Sequence, residues 1–162
     1  MKDRSSPSRG LVAAIGLAAL VAAAPAAAQV QKPTPSKAER AIKYRQSALY
    51  LLGWNIGPIS AMVKGEIPFD QDAVVLRADR LAQLAPMIAE GFPADSQAGA
   101  PTKAKPEIWQ NVDDFRAKAA ELERVTKKFA ATARTGDRKQ IATGLGEVGG
   151  ACKSCHDKYR AE

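Results

Sequence analysis

Apolar residues recur at intervals of three and four in four long stretches of the chain. Such spacing places them on one face of a helix and predicts four helices that each bury one side. No stretch alternates apolar and polar residues with a period of two, so no β-strand is predicted. The four predicted helices run from about Lys37 to Val63, from about Gln71 to Ala89, from Pro106 to about Thr135, and from about Arg138 to Tyr159.

Capping residues mark several ends of these helices. Ser36 with Glu39 forms the pattern of a capping box, and Gly65 and Gly136 follow the first and third stretches. Pro58 predicts a kink or local break inside the first helix rather than a stop. Short connectors join the first helix to the second and the third to the fourth, so each pair is antiparallel. The sequence therefore predicts an all-α protein, an antiparallel up-down four-helix bundle.

Two features within this pattern need a reason. The segment from Gly91 to Lys105 is longer than a usual bundle connection and is expected to cover a site. The last helix contains four glycines, which each cost on the order of 1 kcal/mol against alanine. We interpret them as points of close approach to a neighbouring helix or to a bound group. These glycines are Gly144, Gly146, Gly149 and Gly150.

The first 28 residues predict a signal peptide rather than part of the fold. A basic start is followed by an apolar run from Leu11 to Ala24, which is short for a membrane span. Ala26, Ala27 and Ala28 supply the small residues of a cleavage site. The remaining residues, 29–162, are expected to form one domain. An uncleaved N-terminal anchor is the alternative interpretation.

The net charge of +7 is compatible with anionic partners or an anionic membrane face. Basic residues are interleaved with acidic ones and no recognition motif accompanies them. No nucleic-acid partner is therefore expected.

The candidate chemistry lies near the C-terminus, in Cys152-Lys153-Ser154-Cys155-His156. This segment contains both cysteines and the single histidine of the chain. The Cys-x-x-Cys-His pattern is typical of covalent haem c attachment: each thiol adds to one haem vinyl group, and the imidazole binds the iron. On a helix these three side chains share one face. A redox-active cysteine pair would follow a strand, and a zinc site needs about four ligands, so both alternatives fit less well. Together with the leader, haem c predicts a bacterial periplasmic protein.

Three segments carry a resemblance to a known family: Lys43 to Leu49, Lys105 to Trp109, and Gly149 to Arg160. Over residues 36–160 the chain resembles cytochrome c′, the class II c-type cytochromes, whose haem motif is C-terminal. The resemblance implies a left-handed antiparallel bundle, a high-spin five-coordinate haem and often a homodimer.

The resemblance also implies roles for individual residues. Arg45 and Gln46 would contact the haem propionates, and Leu49 would cover the vacant distal face of the iron. Phe92 would line the pocket, and Arg160 would lie near the proximal histidine. Members of the family often have an acidic residue before the Ala-Lys-Pro segment, where this chain has Lys103. Thr102 beside it is the weaker candidate for that haem contact.

The residues themselves limit the axial ligands. With one histidine in the chain, bis-histidine ligation is excluded, whereas Met62 and Met87 both stay open as sixth ligands. The apolar Leu49 favours a five-coordinate iron. An apolar distal side lacks a donor that would stabilise bound dioxygen, whereas nitric oxide and carbon monoxide depend less on such a donor.

The predicted function is therefore nitric oxide and carbon monoxide binding together with one-electron transfer. A plain electron carrier of a respiratory or photosynthetic chain is the alternative. Enzymatic activity is not expected, because no histidine–arginine pair accompanies Leu49 for acid–base work. The redox partner protein is not identified by the sequence.

A homodimer is also predicted. The first helix has aromatic and apolar residues outside its core stripe, and they either form a dimer interface or cover the edges of the bundle itself. They are Tyr44, Tyr50, Leu51 and Trp54.

Overall fold

The computed structural model describes residues 34–162. The predicted signal peptide, residues 1–28, lies outside the described residues. None of the described helices is long and apolar enough to cross a membrane. The described helices are α1 (Lys37–Lys64), α2 (Gln71–Leu84), α3 (Met87–Glu90), α4 (Glu107–Gln110), α5 (Val112–Ala133) and α6 (Arg138–Tyr159).

The four long helices form a bundle in which neighbours in sequence are neighbours in space. α1 packs on α2, α2 on α5, and α5 on α6, whereas α1 and α6 approach each other only sparsely. Residues 34–162 contain no strand, only an isolated antiparallel bridge between Ala104 and Arg160. The prediction of an all-α four-helix bundle is confirmed, and the ring of helices is open along the α1–α6 side.

α1 continues through Pro58, so the expected local break does not occur. Proline has no N–H, which leaves the carbonyl four residues earlier, that of Trp54, without its helical donor. Arg77 of α2 donates to that oxygen through Nη1 at 3.4 Å. A side chain of the neighbouring helix thus replaces the missing backbone donor. The capping box at the start of α1 is present, with Glu39 N donating to Ser36 Oγ at 3.1 Å.

The second and third predicted helices are each divided. α2 ends at Leu84, and Pro86 precedes the single turn α3. Asn111, with φ −131° and ψ 51°, separates α4 from α5. Pro86 explains the first division because it cannot donate to the preceding turn. The second division has no comparable marker in the sequence.

The core lies between the four long helices and buries apolar residues of each, such as Leu52 of α1, Leu81 of α2, Phe129 of α5 and Ile141 of α6. Leu49, the expected cover of the distal iron face, is 38% exposed. Its side chain faces the open side of the ring instead of the packed centre.

The four glycines of α6 differ in their surroundings. A Cβ on Gly144 would lie 2.9 Å from Phe129 Cδ2, so close packing against α5 requires glycine there. A Cβ on Gly146, Gly149 or Gly150 would meet nothing within 4 Å. Close approach to a helix is therefore the right explanation for Gly144 and the wrong one for Gly146 and Gly150. Gly149 lines the cavity described below.

Candidate functional site

A cavity of about 620 Å³ occupies the open side of the ring, between α1, α5, α6 and the segment 92–104. Volumes of this size are typical of sites that enclose a small molecule or cofactor. Most of the lining is apolar, from residues such as Leu52, Ile56, Phe115, Leu122 and Val148. The cavity exists because α1 and α6 do not close against each other.

The haem attachment motif forms one wall of this cavity. Cys152, Cys155 and His156 all lie on α6 and all line the cavity, as their spacing predicted. The two cysteines form no disulfide, and both are partly buried. Burial raises the pKa of the Cys152 thiol and the pKa of the Cys155 thiol, so both are neutral thiols near pH 7.

His156 presents a neutral imidazole to the cavity. Desolvation lowers its pKa first, and the charge of Arg160 lowers it further, against a smaller opposing effect of Asp157. A neutral imidazole is the form that binds a metal ion. The surroundings of His156 therefore favour the neutral imidazole, which is the form that can bind iron.

Arg45 is a buried cation, 1% exposed, on the α1 side of the cavity. Its guanidinium donates to Gly91 O at 3.2 Å, to Ser96 O and Ser96 Oγ at 3.0 Å, and to Thr102 Oγ1 at 3.1 Å. Burial lowers its pKa, although a guanidinium stays charged in proteins. No carboxylate pairs with it among residues 34–162. A buried charge of this kind calls for an anion at the cavity.

Two residues that the sequence did not single out hold Arg45 in place. Ser96 is fully buried, accepts from Arg45, and donates through Oγ to Pro93 O at 2.8 Å. Gly91 lies against Arg45 so closely that a Cβ there would be 2.5 Å from Arg45 Cβ. Gly91 carried a detectable signal, since it follows the end of a helical stripe. Ser96 carried none, because loop serines are mostly exposed.

The remaining predicted site residues also line the cavity. Leu49 projects from α1. Phe92 follows α3, with the Arg45 guanidinium carbon 4.8 Å from the centroid of its ring and the Phe115 ring 4.6 Å away. Gln46 Nε2 donates to Pro101 O at 2.9 Å. Thr102 Oγ1 accepts from Arg45 Nη2 at 3.1 Å, so this loop residue is engaged within the chain itself.

The segment from Lys103 to Lys105 is tied to the end of α6. Ala161 N donates to Lys103 O at 2.8 Å, and Lys105 N donates to Tyr159 O at 3.0 Å. Arg160 lies in extended conformation between these bonds, directly after the helix. The long loop therefore covers the C-terminal side of the motif, as its length suggested.

The residues present fit a haem. The cavity offers a large apolar volume, two thiols and an imidazole on one wall, and a buried cation that lacks an anionic partner within the described residues. Haem presents complementary features: a flat apolar ring, two vinyl groups, one iron and two propionate carboxylates. Among residues 34–162, no group of three or more His, Cys, Asp or Glu side chains could hold a metal ion by itself.

Known proteins with similar sequences and structures agree with this geometry. The family model described as cytochrome c′ matches residues 40–160. A cytochrome c′ of Rubrivivax gelatinosus is 36% identical over 132 residues, which cover 82% of this chain and 98% of that protein. A cytochrome c′ of Shewanella frigidimarina superposes with a TM-score of 0.75 at 35% identity, covering 80% of this chain and 100% of the other.

A third relative has been solved with a bound gas. It is the nitric oxide complex of a mutant cytochrome c′ from Alcaligenes xylosoxidans, with a TM-score of 0.72 at 32% identity. The superposition covers 80% of this chain and 100% of that one. The family match spans nearly all the described residues, and the chain belongs to the cytochrome c′ family, whose cofactor is haem c.

Proposed function

We propose that this haem c electron-transfer protein works in the periplasm with a five-coordinate, high-spin iron that binds nitric oxide and carbon monoxide. The observation that carries the proposal is the position of Leu49 on the cavity wall formed by α1, with the single histidine on the wall formed by α6. The chain then supplies one axial ligand and an apolar cover. The leader predicted over residues 1–28 supports the periplasmic location.

The roles of the site residues follow from their positions. Cys152 and Cys155 would form the thioether bonds and His156 the axial bond, while the bound haem supplies a redox-active, ligand-binding iron. Arg45 would offset a propionate charge in a desolvated place, where a charge-assisted pair is strong. Gln46 and Thr102 would hold the loop at the same end, and Arg160 would keep the imidazole neutral from the proximal side.

Five-coordination is supported by the two methionines left open by the sequence. Met62 is 6% exposed in the core, and its sulfur accepts from Asp70 N at 3.3 Å, away from the cavity lining. Met87 is not among the lining residues either. The absence of both methionines from the cavity lining supports a vacant sixth position on the iron.

The polar side chains that α1 contributes to the cavity lining support the gas selectivity, because none is aimed at a ligand beside Leu49. Arg45 and Gln46 are hydrogen-bonded to the loop, and Tyr50 is 67% exposed to solvent. Leu52 and Ile56 on the same wall are apolar. Bound dioxygen depends on a distal hydrogen bond, whereas nitric oxide and carbon monoxide depend on it less. The nitric oxide complex of the relative supports the same assignment for this chain. A non-enzymatic role is consistent with an α1 wall that contributes no histidine, aspartate or glutamate to the cavity lining.

Optical spectra of the oxidised, reduced, nitric-oxide-treated and carbon-monoxide-treated holoprotein test this function. We expect a high-spin resting spectrum, complexes with both gases, and no stable dioxygen complex. A low-spin, six-coordinate resting spectrum would overturn the proposal. A high-spin protein that binds neither gas would leave the plain electron carrier as the function.

Leu49→Ala provides a matched test of the distal cover. Removing this side chain should raise the rate of carbon monoxide binding on the order of tenfold, because access to the iron improves. Leu51→Ala is the control: Leu51 is similarly exposed, lies on the same helix and does not line the cavity. Equal rates in the two variants would contradict the role of Leu49.

A homodimer is proposed on the outer face of α1. Tyr50 and Trp54 are 67% and 61% exposed and stack with ring centroids 6.4 Å apart, and Leu76 of α2 is 52% exposed. Exposed aromatic residues are enriched at protein interfaces. Light scattering of the mature holoprotein should give twice the monomer mass, and Trp54→Ser should shift it toward the monomer. A monomeric wild-type protein would contradict this assembly.

A further inference from the structure

The charged residues that line the haem cavity are all cationic. Arg45, Lys103, Lys118 and Arg160 contribute to the lining, and no aspartate or glutamate does. Bound haem brings two propionates, and the buried Arg45 is the cation best placed to offset one of them. The two negative charges of the propionates are fewer than the four positive charges of these residues, so the edge of the cavity remains positive.

The three cations other than Arg45 make no ion pair within residues 34–162. Lys118 Nζ donates to the neutral Ser154 Oγ at 2.8 Å. Lysines just outside the cavity differ, since Lys153 lies 2.7 Å from Asp157 and Lys158 lies 2.9 Å from Asp114. The ion-paired lysines surround the edge of the cavity, and the cations without a carboxylate within 4.0 Å in the described residues lie on it.

The backbone holds these three cations around the attachment motif. The Lys103 carbonyl accepts from Ala161 N, and Ala104 bridges Arg160, which places the loop beside the C-terminus. Lys118 lies on α5 and reaches Ser154, a residue inside the Cys-x-x-Cys-His segment. Three separate elements thus bring positive charge to the mouth of the same cavity.

We propose that Lys103, Lys118 and Arg160, called here the basic rim, dock an acidic redox partner protein over the mouth of the haem cavity. Carboxylates of the partner pair with the rim, and one electron passes between the partner and the haem with no bond formed or broken. The inference rests on the electron-transfer function. An anionic membrane would meet the same charge but can neither supply nor accept the electron.

The first experiment measures electron exchange of the holoprotein with reagents of opposite charge. Hexacyanoferrate(III) is the anionic probe, tris(phenanthroline)cobalt(III) the cationic probe, and oxidised plastocyanin, an acidic copper protein, the protein probe. Stopped-flow rates are recorded from low to high ionic strength. We expect the rates with the anionic probe and with plastocyanin to fall on the order of tenfold as salt screens the rim, while the cationic probe shows no such fall.

Charge reversal locates the effect. Lys103→Glu and Lys118→Glu should each lower the low-salt rate with plastocyanin by about three- to tenfold and reduce the further fall of that rate with added salt. Lys139→Glu is the matched control, with the same change in net charge about 20 Å along α6 from Cys152 by helical rise. Compared at about 0.1 M ionic strength, where the screening length is about 10 Å, it should change the rate less than about twofold.

Equal effects of the rim and control variants would overturn the docking site, as would faster exchange with the cationic probe at low salt. Sedimentation with phosphatidylglycerol vesicles is the second measurement. Vesicle binding that depends on Lys103 and Lys118, with electron exchange unaffected, would overturn the protein partner in favour of a membrane. No exchange with any reagent would overturn the electron-transfer function and the docking together.

Discussion

At the scale of single residues, the position of Arg45 depends on a segment far from it in sequence. Its Nη1 donates to Gly91 O and to both oxygens of Ser96, and Nη2 donates to Thr102 Oγ1. A buried guanidinium is costly unless its donors are satisfied. The loop thus serves as the solvation shell of this cation, and the cation in turn fixes the loop across the cavity.

Ser96→Ala should destabilise the holoprotein by about 1–2 kcal/mol, because a buried donor of Arg45 loses one acceptor. Urea unfolding monitored by circular dichroism measures the change. Ser47→Ala is the control, since the Ser47 hydroxyl is exposed and donates to the carbonyl of its own helix, Lys43 O. The interpretation fails if the two variants lose the same stability.

At the scale of elements, α6 combines packing and cofactor attachment in one helix. Its N-terminus is capped by Asp137, whose carboxylate accepts from Lys139 N at 2.9 Å and from Gln140 N at 3.0 Å. Gly144 allows the helix to pack closely on α5, and the haem motif follows two turns later. Gly146 weakens the same helix without a contact that requires it.

Two glycine substitutions should therefore change stability in opposite directions. Gly146→Ala should stabilise by about 0.5–1 kcal/mol through helix propensity. Gly144→Ala should destabilise by about 1–3 kcal/mol, because Phe129 must move to admit the new methyl group. Thermal unfolding of both holoproteins checks the signs. Stabilisation by Gly144→Ala would show that Phe129 adjusts without cost.

The ends of the helices could be predicted where local residues determine them. Interruptions that depend on residues distant in the sequence could not. α1 and α6 begin and end within about a residue of their predicted limits. The capping box and Gly65 mark the two ends of α1, and Gly136 marks the boundary before α6. The hydrogen bond from Arg77 that replaces the missing donor of Pro58 comes from another helix, and no local pattern reveals it. The division at Asn111 likewise has no local marker.

The site shows the same contrast. The spacing of Cys152, Cys155 and His156 placed them on one face from sequence alone. The exposure of Leu49 and the burial of Ser96 arise from how the ring of helices stays open, which depends on contacts between distant segments. The Arg45 network was likewise not derivable from local pattern, because its acceptors lie in a loop without regular structure.

At the scale of the whole molecule, a hydrogen-bonded cluster joins α5 to the end of α6. The Tyr159 hydroxyl and Lys158 Nζ both donate to Asp114 Oδ2. The hydrogen bond from Tyr159 holds the pKa of Asp114 below its ordinary 3.8. Burial, and then the hydrogen bond to Asp114, raises the pKa of Tyr159 above its ordinary 10.0.

The stabilising contribution of this cluster should be complete between these two ordinary values. It is lost as pH falls through the lowered pKa of Asp114, and as pH rises through the raised pKa of Tyr159. Asp114→Asn should flatten both limbs of a plot of urea midpoint against pH. Asp113→Asn, at a neighbouring exposed carboxylate, serves as the control. Superimposable profiles for wild type and Asp114→Asn would contradict this assignment.

The open side of the helix ring has a thermodynamic consequence. Leaving about 620 Å³ unfilled at about 24 cal/mol per Å³ would cost up to about 15 kcal/mol, an upper limit because the cavity opens to solvent. That is as large as the whole folding free energy of a typical domain, about 5–15 kcal/mol. Haem is therefore a component of the hydrophobic core as much as a reagent. We expect substitutions at Cys152 or Cys155 to lower protein yield and protease resistance more than they alter the absorption spectrum of the haem that is still bound.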